Sequence, residues 1–153
     1  MDKTLILKML EVEFIDNDMF KKRFAFLEGC DSINRLSRKY WDNITAELSL
    51  KQVVQLIKIL TLSEMYFKWS GGSVSSVIWI FKELERRDMQ LSREIADWVL
   101  SHTDNIYLPF GTNNYYSKSL SEYYNNQRQT SFRRSERIKQ EEEKQQLYKN
   151  KLC

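Results

Sequence analysis

Two cysteines, one histidine, one proline and four glycines are all that 153 residues contain of the types that build most small-protein chemistry. Cys30 and Cys153 stand far apart, so they form no disulfide framework, and a reducing cytoplasm is the expected location. One histidine and two distant cysteines cannot supply a recognisable zinc site, and no metal or cofactor is expected. A histidine-based nucleophile triad would have to centre on His102. It follows Trp98 by four residues on the inner side of a helical stripe, which reads as a packed or capping histidine, and no catalytic residue is assigned.

Other absences narrow the fold. No run of about 18 apolar residues exists, which argues against a membrane span. The first residues reach Lys8 and Glu11 too soon for a secretory signal. Alternating Val, Ile and Thr runs bounded by turns are missing, so strands are not expected. With so little proline and glycine to interrupt it, the chain should be helical.

What is present is apolar periodicity. Hydrophobic residues make up 42% of the chain, enough for a real core. Leu50, Val53, Val54, Ile57 and Leu60 recur at helical spacing, with Ile59, Leu62, Met65 and Tyr66 widening the stripe, so this helix should be buried on more than one side. Ser49 is its expected N-cap, and Gly71-Gly72 its stop. A second helix restarts at Ser73, with Val74, Val77, Ile78, Phe81 and Leu84 facing inward and Ser75, Ser76, Lys82 and Glu83 suited to water. After Arg86-Arg87-Asp88 a third carries Leu91, Ile95, Trp98, Val99 and His102 on one side. The first two, joined by a short glycine turn, should pack as an antiparallel hairpin.

Upstream, residues 3–14 read as a short helix. A second stripe of Met19, Phe20, Phe24 and Leu27 should end at Gly29, and Asp31 or Ser32 should cap a helix carrying Ile33, Leu36, Tyr40 and Trp41. Downstream, Pro109 and residues 110–114 mark an irregular segment whose Ile106, Tyr107, Leu108 and Phe110 are too apolar for a free linker.

Three motif resemblances fail on inspection. Asp16-Asn17-Asp18 begins like a calcium loop, but Lys21 stands where glycine is required and Leu27 where glutamate is. Ser70-Gly71-Gly72-Ser73 lacks the preceding strand and the following Gly-Lys-Ser/Thr of a phosphate loop. The helix after Gly72 shows Val, Ile, Trp and Phe, not the polar residues that read base edges.

The charge is unevenly distributed. Of 24 Lys/Arg, nine lie in residues 116–153, against five of the 21 acids, so the tail carries +4 and the rest of the chain −1. Within 107–139, Tyr107, Phe110, Tyr115, Tyr116, Tyr123, Tyr124 and Phe132 interleave with Lys118, Arg128, Arg133, Arg134, Arg137 and Lys139. Tyr, Phe and Arg are the usual anchors of protein interfaces, and the same mixture can stack bases and neutralise phosphates. The blander reading packs these aromatics onto the core and leaves the arginines solvated.

The expectation is therefore an all-α chain, a compact multi-helix bundle over residues 1–115 with a central antiparallel hairpin. A polar, basic extension, helical or partly disordered, follows over 116–153. Its expected role is a non-catalytic cytoplasmic interaction or accessory subunit. It would dock a protein partner through Tyr107, Phe110, Tyr115, Tyr116, Tyr123, Tyr124, Arg128, Phe132, Arg133, Arg134, Arg137 and Lys139. The alternative is a nucleic-acid-binding accessory protein using the same arginines. An enzyme, the third reading, would need a carboxylate site that sequence alone cannot assemble. Trp69, Trp79 and Trp98 exceed the needs of a small core, which leaves homo-oligomerisation open.

Overall fold

Among the described residues of 3–111, six α-helices and three short 3-10 turns follow one another in the computed structural model, which describes residues 3–15, 18–111, 139, 140 and 142–146. Among the described residues there is no strand, and no helix is long and apolar enough to cross a membrane. The chain divides into two compact units, Met1–Asn113 and Asn114–Cys153.

The centre of the first unit is α4 (Leu50–Tyr66). Its first turn is closed by a reciprocal cap: Gln52 N donates to Ser49 Oγ at 3.2 Å while Ser49 N donates to Gln52 Oε1 at 2.9 Å. Ile59 to Glu64 are six consecutive buried residues, more than a full helical turn, so α4 is covered all round over this stretch. Two polar residues are tolerated there because each is satisfied within the helix: Thr61 Oγ1 donates to Ile57 O and Ser63 Oγ to Ile59 O. The expected stripe differs at its end, where Met65 is exposed, and α4 stops at Tyr66, before Gly71-Gly72, with Lys68 taking the positive φ (+54) that turns the chain.

Around α4 pack α1 (Lys3–Glu11), α5 (Ser76–Arg87) and α6 (Met89–His102), and α5 in turn carries α3 (Arg38–Thr45), α6 and the 3-10 turn Asp31–Arg35. α1 stops at Glu11, short of the expected 14, because Gln55 of α4 takes over its end: Nε2 donates to both Leu10 O and Val12 O. α2 (Met19–Arg23) is likewise shorter than its stripe, which continues through the 3-10 turn Ala25–Leu27 before Gly29 at φ +80 turns the chain away. Phe20 lies wholly buried there, stacked on Phe24 at 4.6 Å and on Tyr66 at 5.4 Å.

The helix expected from Asp31 or Ser32 is split. Residues Asp31–Arg35 form a 3-10 turn, Leu36 is extended, and Ser37 caps α3 through Tyr40 N. The restart after the glycines also shifts: Gly72–Val74 is a 3-10 turn, Val74 is exposed, and Ser75 is the cap of α5. Asp88 joins α5 to α6 by accepting Leu91 N at 3.0 Å. Arg87 closes the end of α3 from outside, giving its guanidinium hydrogens to Leu48 O and Thr45 O while holding Glu83.

Beyond α6 the loop lies on the core, as its apolar content implies. Leu108 is fully buried and Phe110 packs edge-on against Phe81 at 5.6 Å. In the second unit, residues 139, 140 and 142–146 are helical and exposed, which fits a solvated helix without a burial face.

Candidate functional site

Ser75 and Ser76 look suited to water in the sequence, and the structure corrects this: both are fully buried. Burying a hydroxyl is costly unless it is bonded, and here each one is. Ser76 Oγ accepts the Trp41 indole N–H at 2.7 Å and donates to Ile33 O at 2.8 Å. Ser76 N donates to Asn34 Oδ1 at 3.1 Å. Ser75 Oγ caps α5 by accepting Val77 N and donates to Glu64 Oε2 at 3.0 Å.

Glu64 is thereby the centre of a polar cluster drawn from four places in the chain. Its Oε1 accepts Asn105 Nδ2 at 3.1 Å, and the same amide donates to Gly72 O at 3.1 Å. Asn34 Nδ2 is buried beside Gly71, with no hydrogen-bond partner among the described residues. A Cβ on that glycine would stand 2.3 Å from Asn34 Nδ2 and 2.5 Å from Glu64 Oε1. Burial pushes the Glu64 carboxyl above its ordinary value, opposed by the hydrogen bonds from Asn105 and Ser75. Among the described residues no lysine or arginine pairs with it. The carboxylate is held by neutral donors alone.

The cluster forms one wall of a cleft of about 410 Å³, bounded by Glu64, Trp69, Gly71, Gly72, Asp104 and Asn105, with Met65 and Lys68 also lining it. That volume lies toward the lower end of ligand pockets, about 300–1,000 Å³. Asp104 and Lys68 are exposed, whereas Trp69 is 6% exposed and its indole N–H has no acceptor among the described residues. Arg35 reaches the edge, donating to Ser70 Oγ at 3.2 Å, and is neutralised by Asp31 at 3.8 Å.

Sequence reasoning missed this site. Glu64 did leave a signal, since it is the single acid between Leu50 and Trp69 on a helix expected to be buried on more than one side. Asn34 and Asn105 left none, because asparagine is ordinary in turns.

The residues singled out in the sequence fall differently. Phe110 is 4% exposed and serves the core, so its ring is not a surface anchor. Tyr107 is half-buried, its N–H bonded to Asn105 Oδ1 at 3.0 Å, which ties that loop to the Glu64 cluster. Lys139 is exposed. Tyr115, Tyr116, Lys118, Tyr123, Tyr124, Arg128, Phe132, Arg133, Arg134 and Arg137 lie outside the described residues.

His102 is stacked on Trp98, with ring centroids 4.0 Å apart and planes at 12°, and its Nδ1 lies 2.7 Å from Trp98 O and 2.8 Å from Ser101 Oγ. That is the packed, capping histidine its spacing implies. No group of three or more His, Cys, Asp or Glu that could hold a metal ion occurs among the described residues.

Family models, curated proteins and solved structures return no match to this chain, so its function is read from its own residues and geometry.

Proposed function

We propose that this chain is a small cytoplasmic interaction or accessory protein, built on an antiparallel α4–α5 hairpin, that docks a protein partner through its basic extension. The observation that carries the reading is the composition of residues 116–153, where Tyr116, Tyr123, Tyr124 and Phe132 interleave with Arg128, Arg133, Arg134 and Arg137 in a stretch of charge +4. Tyr107, Tyr115 and Lys139 belong to the same mixed run of the sequence, in which Tyr107 is half-buried, Lys139 is exposed and Phe110 packs on Phe81. A partner that covers the aromatic rings gains apolar burial, while the arginines supply hydrogen bonds and orientation.

The test is natively purified full-length protein measured by light scattering after size exclusion, with 260/280 nm absorbance. Excess mass at a protein-like ratio is expected. Alanine at Tyr123, Tyr124 and Phe132 should remove more of it than alanine at Lys149 and Lys151, and equal effects would point to diffuse charge attraction instead.

The arginine run also supports a second reading, a nucleic-acid-binding accessory protein. Counterion release would then make binding fall steeply with salt, and a nucleic-acid-like ratio lost in high salt identifies it. Salt-insensitive binding sinks this second reading.

A further inference from the structure

We propose that the cleft beside Glu64 receives an arginine side chain of a partner protein, with Glu64 as its buried counter-ion and Asp104 at the mouth. The inference rests on the reading of the chain as an interaction protein and adds a second docking point, in the helical unit itself.

The argument starts from the missing charge. A buried carboxylate is normally paired with a cation or bound to a metal. Glu64 is 8% exposed, yet its two hydrogen-bond partners, Ser75 and Asn105, are both neutral. Two donors, one on each oxygen, suit an acceptor-only group, which is what an ionised carboxylate is. A glutamine there would turn its own N–H₂ toward one of them. The hydrogen bonds favour the anion while burial opposes it, and among the described residues no cation compensates its charge.

The cleft also says what the cation belongs to. The carboxylate has about four acceptor sites, of which Ser75 and Asn105 occupy two. The exposed Asp104 carboxylate borders the same cleft as Glu64. Separated acceptors suit the fan of five N–H groups on a guanidinium, which is also the more weakly hydrated basic head and the one favoured in buried ion pairs.

The Trp69 indole N–H, nine-tenths buried and without a partner among the described residues, asks for an acceptor in the same ligand. An arginine within a peptide offers both, a cation and a backbone carbonyl. The charges bordering the cleft are Glu64 and Asp104 against Lys68, with Arg35 paired to Asp31, so the balance is negative. Apolar surface adjoins it: Met65 lines the cleft, Val74 (55% exposed) follows Gly72 by two residues, and Ile106 (65% exposed) follows Asn105. Such flanks suit a protein surface better than a free amine.

The test is titration of full-length protein with Nα-acetyl-arginine amide, followed by nitrogen-proton correlation spectra. Saturable shifts are expected at the Gly72 and Asn105 amides and at the Trp69 indole N–H, assigned with Trp69→Phe. The neutral isostere Nα-acetyl-citrulline amide should not reproduce them. Glu64→Gln should weaken binding about tenfold or more, as loss of a buried charged partner does. Asp104→Asn, an exposed change that leaves the core untouched, should weaken it about two- to five-fold.

An equal response to citrulline, unchanged binding in Asp104→Asn and Glu64→Gln, or no saturable shift would overturn the proposal. Should Glu64→Gln fail to fold, the citrulline comparison and Asp104→Asn still decide. If the cleft fails while alanine at Tyr123, Tyr124 and Phe132 still abolishes the complex, only the cleft assignment falls.

Discussion

The indole N–H of Trp41 donates to the hydroxyl of Ser76 at 2.7 Å, joining α3 to the first turn of α5 inside the core. Ser76 passes the bond on to Ile33 O, so one hydroxyl satisfies a buried donor and a buried acceptor from two other segments. It is the join on which the upstream half of the helical unit meets the downstream half.

Ser76→Ala should therefore cost about 2–4 kcal/mol, since it strands both groups away from water. Ser73→Ala, three residues earlier but exposed, should stay within about 0.5 kcal/mol. Urea unfolding of the two variants checks this, and similar losses for both would show that the Trp41 bond carries no special weight.

Neighbouring glycines should fail for different reasons. Gly71 has ordinary backbone angles but no room, because a Cβ meets Asn34 Nδ2 and Glu64 Oε1. Gly71→Ala should cost about 1–3 kcal/mol through overpacking. Gly72 has open space but φ +51, so Gly72→Ala should cost about 1–2 kcal/mol through backbone strain alone. Asparagine tolerates that conformation, so Gly72→Asn should recover part of the loss while Gly71→Asn recovers nothing. Melting temperatures of the four variants separate the two mechanisms.

The outer side of α5 should make stability depend on pH. Burial pushes the Glu85 carboxyl from 4.5 up to about 7, with Lys82 pulling it back. A carboxyl whose folded value is raised holds its proton more tightly when folded, so its contribution to stability is lost as pH rises from about 4.5 through about 7. Burial and the nearby Arg38 bring Lys82 from 10.5 down to about 8, which has the opposite slope: stability is regained between about pH 8 and 10.5. Glu85→Gln removes the first effect. Relative to the parent it should gain about 1 kcal/mol between pH 5 and pH 8, a figure reduced for the group's partial hydration. Denaturation at the two pH values measures it, and a pH-independent difference would contradict the assignment.

The sequence by itself determined the helices and most of their punctuation. Apolar spacing, the Ser49 cap, the Gly29 stop and the Asp88 join all act within a few residues, and local backbone energetics decides them. It also determined the basic composition of residues 116–153. Tertiary structure decided the rest. Ser75 and Ser76 are polar in any local reading, and only partners 11 to 43 residues away, Glu64, Trp41, Asn34 and Ile33, allow them to be buried. The same long-range bonds split the helix expected from Asp31, since Asn34 is drawn into the cluster. They also place Asn105 on Glu64, 41 residues back. Helix periodicity records which face is apolar, but not which distant polar group arrives to satisfy a buried hydroxyl or carboxylate. That depends on how the helices pack, and so does the cleft.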